Sequence, residues 1–190
     1  YRANRVMPYS WGAETPLSNF EIRLDDATRP RQDPALTIAF TLDDGTQLLA
    51  WTTTPWTLPS NLALAVGPAI SYTQVRAEGQ SADWILGTDA LDRYSRELGE
   101  YTIIREMTGS DLVGRTYKPI LPYFADHPDS FRVLSAAFVE TGDGTGVVHM
   151  APGFGEDDQT VSEANGITMV VPVDDEGKFT SEVADWAGTN

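Results

Sequence analysis

The sequence predicts an α+β fold with a curled or barrel-like, mainly antiparallel β core and a few surrounding helices. Three observations lead there. Short strand-like segments recur along most of the chain. Only two stretches carry helix signals, and the regular βαβ alternation of a doubly wound sheet is missing.

The elements can be taken in order. Residues 36–42 and 46–54 are β-rich runs joined by Asp43-Asp44-Gly45, a hairpin-like connection. Further strands are expected over 62–66, 71–77, 84–87, 101–106, 131–139, 146–150 and 168–173. A first helix is expected after Thr88, which can cap it. Leu91, Tyr94 and Leu98 form its apolar stripe, and Gly99 stands where a C-terminal glycine belongs. A second is expected from about Gly155 to Asn165, with Glu156, Asp157 and Asp158 in its first turn and Gly166 after it. Carboxylates there complement the helix dipole. The best loop candidate is Arg29-Pro30-Arg31-Gln32-Asp33-Pro34, and there is neither an internal repeat nor a low-complexity tract.

Bulk properties set the class. A chain of 190 residues with 41% hydrophobic residues and five tryptophans fits one folded domain with a sizeable core. No apolar run is long enough to span a bilayer, and Tyr1-Arg2-Ala3-Asn4-Arg5 opens without an apolar signal core, so a cytoplasmic protein with no membrane partner is expected. The absence of cysteine excludes a disulfide scaffold and a thiolate zinc site. The net charge of −15 is unlike that of a protein that binds nucleic acid by neutralising phosphates. Such a chain can act on RNA only by touching a short end while another part of a larger protein holds the rest. Solubility alone explains the charge equally well.

Two segments have unusual composition. In Trp51-Thr52-Thr53-Thr54-Pro55-Trp56-Thr57-Leu58-Pro59-Ser60-Asn61, strand alternation puts Thr52 and Thr54 on one face and Trp51 and Thr53 on the other. Adjacent hydroxyls can hold a carbonyl, a ribose or a water. Pro55 lacks a ladder donor and ends the pairing. Ordinary sheet accounts for a threonine run as well. The second segment runs from Gly142 to Asp158, where a glycine-rich turn feeds a strand bearing His149, then a loop and an acidic helix start. Its glycines match neither a P-loop nor a dinucleotide fingerprint. With only His127 and His149 and no HExxH spacing, no metal is expected. There is no GxSxG elbow for a nucleophilic serine. What is left is hydrolysis by positioning, with a carboxylate and hydroxyls organising substrate and water. On the residues alone, Asp157 and Asp158 read as helix-capping residues and His149 as a half-buried strand residue.

WTTTPWTLPSN at 51–61 and GTGVVHMAPGFGEDD at 144–158 resemble the two signature regions of the editing (CP1) domain inserted in isoleucyl-tRNA synthetase, in order and separation. VMPYSW, TPLSNFEI and VPVDDEGKFT extend the resemblance over nearly the whole chain. Valyl and leucyl editing domains typically have an arginine after the threonine pair and a PAHDxxDF-like second segment. Thr54 and PGFGEDD favour the isoleucyl branch, with the valyl and leucyl enzymes as the alternative.

The resemblance implies hydrolysis of valine wrongly esterified to isoleucine tRNA, with valyl-adenylate as a second candidate substrate. It makes Thr52, Thr53, Thr54 and Asp158 the catalytic residues. Asp158 takes the substrate ammonium and the threonines surround the ester and terminal ribose. His149 lines the side-chain pocket, with Trp51, Trp56 and Asn61 in support. Relatives often carry cysteines near Trp11-Gly12-Ala13-Glu14, and their absence here argues against a metal role. The HIGH and KMSKS motifs of the parent enzymes are missing, so no cofactor is expected for the domain itself; ATP and metal belong to other parts of the parent. The expected partners are the tRNA 3′ CCA end and the rest of a synthetase. A monomer is expected, one domain over 1–190, whose ends (about 1–25 and 180–190) lead toward the catalytic domain. A non-catalytic binder of the RNA end and a hydrolase of small aminoacyl compounds stay open as other classes.

Overall fold

The structure is a computed structural model that describes residues 7–10, 12–24, 26–27, 29–30 and 32–190. The opening residues 1–6, Trp11 and Arg31, on which parts of the N-terminal resemblance and the 29–34 loop rest, lie outside the described residues. Near the start, β1 (Tyr9–Ser10) and β2 (Thr15–Pro16) pair with each other and, among the described residues, with no other strand.

The main sheet grows from one hairpin. β3 (Leu36–Thr41) and β4 (Gln47–Thr52) are antiparallel over their full length, with Leu36 opposite Thr52. The Asp43-Asp44-Gly45 turn forms as expected. The Asp44 carboxylate accepts from the Thr46 N–H and hydroxyl at 2.9 and 2.6 Å, the local bonding that makes Asp a turn residue. β5 (Ala63–Val66), β6 (Ser71–Ala77), β7 (Trp84–Gly87), β8 (Tyr101–Thr108), β9 (Arg132–Ser135) and β10 (Val147–Met150) complete an eight-stranded sheet. It is mixed, and it curls into a half-barrel with few helices, an α+β architecture as expected.

β4 is a fork. β3 occupies one of its edges. The other edge carries two strands in succession, β7 beside Gln47 and Leu48 and β10 beside Trp51, both parallel to it. From β7 the sheet continues antiparallel through β6 to β8. From β10 it continues through antiparallel β5 to parallel β9. Side chains alternating along β4 enter two cores: Leu48 and Ala50 join the larger cluster with Phe40, Leu64 and Met150, and Leu49 joins a smaller one with Val75 and Leu86. β5 is buried at every residue, Ala63 to Val66, as a strand covered on both faces should be.

The helical elements depart from expectation once. Thr88 does not cap a continuous helix, because its hydroxyl is 2.9 Å from that of Thr73 on β6. Thr88–Ala90 form a 3₁₀ turn, and only α1 (Ser95–Leu98) is α-helical, closed by Gly99 at φ +58°. The apolar stripe is used nonetheless: Leu98 is buried in the smaller core, with Leu91 and Tyr94 packed against it. α2 (Glu156–Ala164) forms where expected, flanked by Gly155 and Asn165.

Two strands are shorter than expected or absent. The strand at 131–139 is β9 alone, because its partner β5 ends at Val66, opposite Ser135. No strand forms at 168–173; Val173 makes one isolated bridge to Phe179, while Met169 and Val171 are exposed. That segment instead covers the turn before α2, with the Val170 carbonyl against Gly153, where a side chain would collide. No helix among the described residues is long and apolar enough to cross a membrane.

Candidate active site

The fork brings the two unusual segments together. β4 and β10 are parallel neighbours, with Val148 opposite Trp51, so both chains leave the sheet on the same side. β4 stops at Thr52, Thr54 leaves strand geometry at φ −123°, ψ 63°, and Pro55 opens a 3₁₀ turn over Pro55–Ser60. A proline cannot extend the ladder, and its fixed φ suits the start of such a turn. After Met150 the chain turns through Gly153 and Phe154 into α2. The result is a cleft of 350 Å³. Trp51, Thr52, Thr53, Thr54 and Thr57 line it from the first segment, and Val148, His149, Ala151, Phe154, Gly155 and Asp158 from the second.

The threonines form a graded wall. Thr52 is buried; Thr53 and Thr54 are exposed. The Thr52 hydroxyl accepts the Thr54 N–H at 3.0 Å and lies 3.4 Å from the Thr54 hydroxyl. The pairing expected from strand alternation is present, although the strand ends first and a local bond holds it.

His149 is 6% exposed and both ring nitrogens are engaged. Asn61 Nδ2 lies 2.8 Å from Nδ1, and the Thr57 hydroxyl 2.8 Å from Nε2. Because Asn61 Nδ2 can only donate, Nδ1 accepts and the ring proton sits on Nε2. The Thr57 hydroxyl donates its own hydrogen bond to the Thr54 carbonyl at 2.9 Å. Burial lowers the His149 pKa to about 4, so the ring is neutral at physiological pH. A neutral imidazole with both nitrogens occupied is suited to shaping a pocket. It has no free lone pair with which to take a proton from water.

Asp158 faces the threonines from α2. One oxygen accepts the Ala151 N–H at 2.8 Å. Burial raises its pKa, against the lowering effect of that bond, and the neighbouring Asp157 charge raises it further. A desolvated carboxylate next to hydroxyls is a site for a cation, and an ammonium group would relieve it. Gly155 makes room, because a β-carbon there would lie 3.0 Å from the Asp158 carboxyl carbon. Asp157 points to solvent.

Two of the expected site residues stand outside the cleft. Asn61 is buried behind His149 and touches it directly. Trp56 is 51% exposed and meets Phe154 edge-on at 4.9 Å, so it braces the cleft from outside. It also walls an adjoining apolar cavity of 440 Å³ with Leu121, Phe179 and Trp186. Sequence reasoning missed Thr57, Phe154 and Tyr117, whose hydroxyl donates to Asn61 Oδ1 at 2.6 Å. Thr57 and Phe154 lie within the two segments and were within reach; Tyr117 carried no local signal. No group of three or more His, Cys, Asp or Glu among the described residues is placed to hold a metal ion.

Comparison with known proteins adds three findings. No family model matches the chain. It is 49% identical over 214 residues to an isoleucine–tRNA ligase of Rickettsia felis and 50% identical over 207 residues to one of Corynebacterium diphtheriae. Each match takes in 99% of this chain, which spans only 19% and 20% of the length of those relatives. Among solved structures it resembles the editing domain of the cytosolic leucyl-tRNA synthetase of P. knowlesi, with TM-score 0.58 and 14% identity, over 70% of this chain and 62% of that one. The equivalent P. falciparum domain gives TM-score 0.53 and 13% identity, over 63% and 45%. These likenesses concern the fold.

Proposed function

The chain belongs to the isoleucine–tRNA ligase family as a segment with the editing-domain fold, and from that premise we propose that it is an aminoacyl-ester hydrolase that clears valine from the 3′ end of isoleucine tRNA. The observation that carries this is the convergence of two distant segments on one cleft, where a desolvated carboxylate faces a threonine wall and a buried neutral histidine. Its proposed partners are the tRNA's CCA end and the rest of a cytoplasmic synthetase.

The need is physical. One methylene is worth only about 1–3 kcal/mol in a hydrophobic pocket, and isoleucine against valine in isoleucyl-tRNA synthetase is itself the reference case. A second sieve must hydrolyse what the first admits. Asp158 pairs with the α-ammonium group and fixes the amino acid. The hydroxyls of Thr52, Thr53 and Thr54 hold the ester, the ribose and the attacking water. Water adds to the ester carbonyl, the bond to the ribose oxygen breaks, and that oxygen leaves with a proton. His149 acts as a rigid wall, since an apolar pocket by itself would favour the larger isoleucine side chain.

The test is to incubate the chain with isoleucine tRNA charged with valine or with isoleucine. Release of valine with isoleucine retained is the expected result. Release of neither, with binding preserved, would leave a non-catalytic binder of the RNA end. Where the chain releases valine, its His149→Ala variant should hydrolyse both esters. Collapse of both activities together would make His149 a base and sink its role as a wall.

A further inference from the structure

We propose that Tyr117, outside the cleft, is a positioning residue for the specificity wall: through Asn61 it holds the His149 imidazole in one tautomer and one ring orientation. This rests on the reading of His149 as the wall of a hydrolytic pocket.

The Tyr117 ring has one place to be. It is buried between Phe40 and Phe131, which meet it edge-on at 5.3 and 5.9 Å, and its N–H donates to the Phe131 carbonyl at 2.9 Å. Its hydroxyl donates to Asn61 Oδ1 at 2.6 Å. Burial pushes the phenol pKa well above its ordinary value, so the group is a donor at every working pH.

Asn61 is the hinge of the argument. Its Nδ2 serves two acceptors, the Ala63 carbonyl at 2.9 Å and His149 Nδ1 at 2.8 Å. Turning the amide over would set Oδ1 against the Ala63 carbonyl, two acceptors face to face, and would deprive the tyrosine of its acceptor. Tyr117 and Ala63 therefore fix the amide's polarity from opposite ends. The polarity makes Nδ1 an acceptor and puts the ring proton on Nε2, facing the Thr57 hydroxyl at 2.8 Å. The last bond in the series reaches the backbone of Thr54 at 2.9 Å. Every donor from Tyr117 to Thr54 meets an acceptor, and one end of the series is the threonine wall itself. Without the phenol, Asn61 Oδ1 is buried and unpaired, and of the two restraints on the amide only the Ala63 carbonyl is left, so the turned form gains population.

The experiment uses the chain and its Tyr117→Phe variant, which keeps the ring and removes one oxygen. Nitrogen-15 NMR of the histidine ring reads the tautomer, and hydrolysis of the valine and isoleucine esters reads selectivity. The unaltered chain should show His149 as the Nε2–H form alone. The variant should show both tautomers and a valine-to-isoleucine selectivity lowered roughly tenfold, the share of a rigid wall lost when its ring can turn. An Nδ1–H form in the unaltered chain overturns the proposal without any variant. So does a variant whose tautomer is unchanged, whatever its selectivity, since Tyr117 is then merely structural. If the unaltered chain releases no valine, the hydrolase reading falls separately and the ring spectrum alone decides the relay.

Discussion

Asp158, half-buried, and His149, buried, are ionisable groups at the cleft, and burial pushes each toward its uncharged form. In the proposed function Asp158 is charged and pairs with the substrate ammonium. Removing one member of a buried charged pair typically costs about 2–5 kcal/mol. Asp158→Asn should therefore reduce valine release by about thirtyfold or more while keeping the bond to the Ala151 N–H, and the solvent-facing Asp157→Ala should change little. Equal, mild losses at the two positions would refute the assignment. His149 makes a different prediction, about stability. Its folded pKa of about 4 lies below the ordinary histidine value of 6.5, so the unfolded chain binds more protons between those values. Its contribution is complete above pH 6.5 and is lost as pH falls toward 4, on the order of 3 kcal/mol. Asp158, raised instead, works in the opposite sense at the acid end. Urea unfolding midpoints between pH 7.5 and pH 4 should fall, and fall less in His149→Gln; identical profiles would argue against a buried neutral ring. Asp158 and His149 could be found in the sequence because they stand in distinctive segments. Tyr117 could not, since its hydroxyl donates to a residue 56 positions away.

At the scale of elements, the loop before β10 aims the histidine. Arg93 donates to the carbonyls of Thr141, Gly142 and Gly144, and Gly144 packs on the Trp51 ring. Gly144 has φ +62°, and a β-carbon there would lie 2.8 Å from Trp51 Cε3. Gly142 has nothing within 4 Å and no such φ. Gly144→Ala should destabilise the chain by about 2 kcal/mol, from left-handed strain plus overpacking, and should lower valine release by shifting Trp51 beside Thr52. Gly142→Ala is the control, and similar thermal midpoints for the two variants would contradict the argument. The strands were legible because buried strands alternate or run continuously apolar. The expected helix after Thr88 was not, because a cap residue reads the same whether its hydroxyl turns to its own backbone or, as here, to Thr73 on β6. The apolar run at 168–173 looked like a strand because composition does not report whether a sheet edge is available.

For the whole molecule, the charge of −15 and the cleft have to be reconciled. A body that repels phosphates can accept a tRNA only at its tip. The isolated chain should bind isoleucine tRNA weakly, with a salt dependence corresponding to about one or two phosphates. Tight binding at physiological salt with a steep slope would contradict this, and gel-shift titrations at several salt concentrations decide it. The fork at β4 has a further consequence. The branch β7–β6–β8 and the branch β10–β5–β9 meet on one edge of a single strand, and the cleft lies between the end of that strand and β10 of the second branch. β8, at the outer edge of the first branch, is exposed along nearly all its length. It can fray without disturbing β10, so the chain should open in two cooperative units of different free energy. Amide hydrogens of β8 should exchange with solvent well before those of β5 and β10, leaving the branch beside the cleft the slower clock of the two.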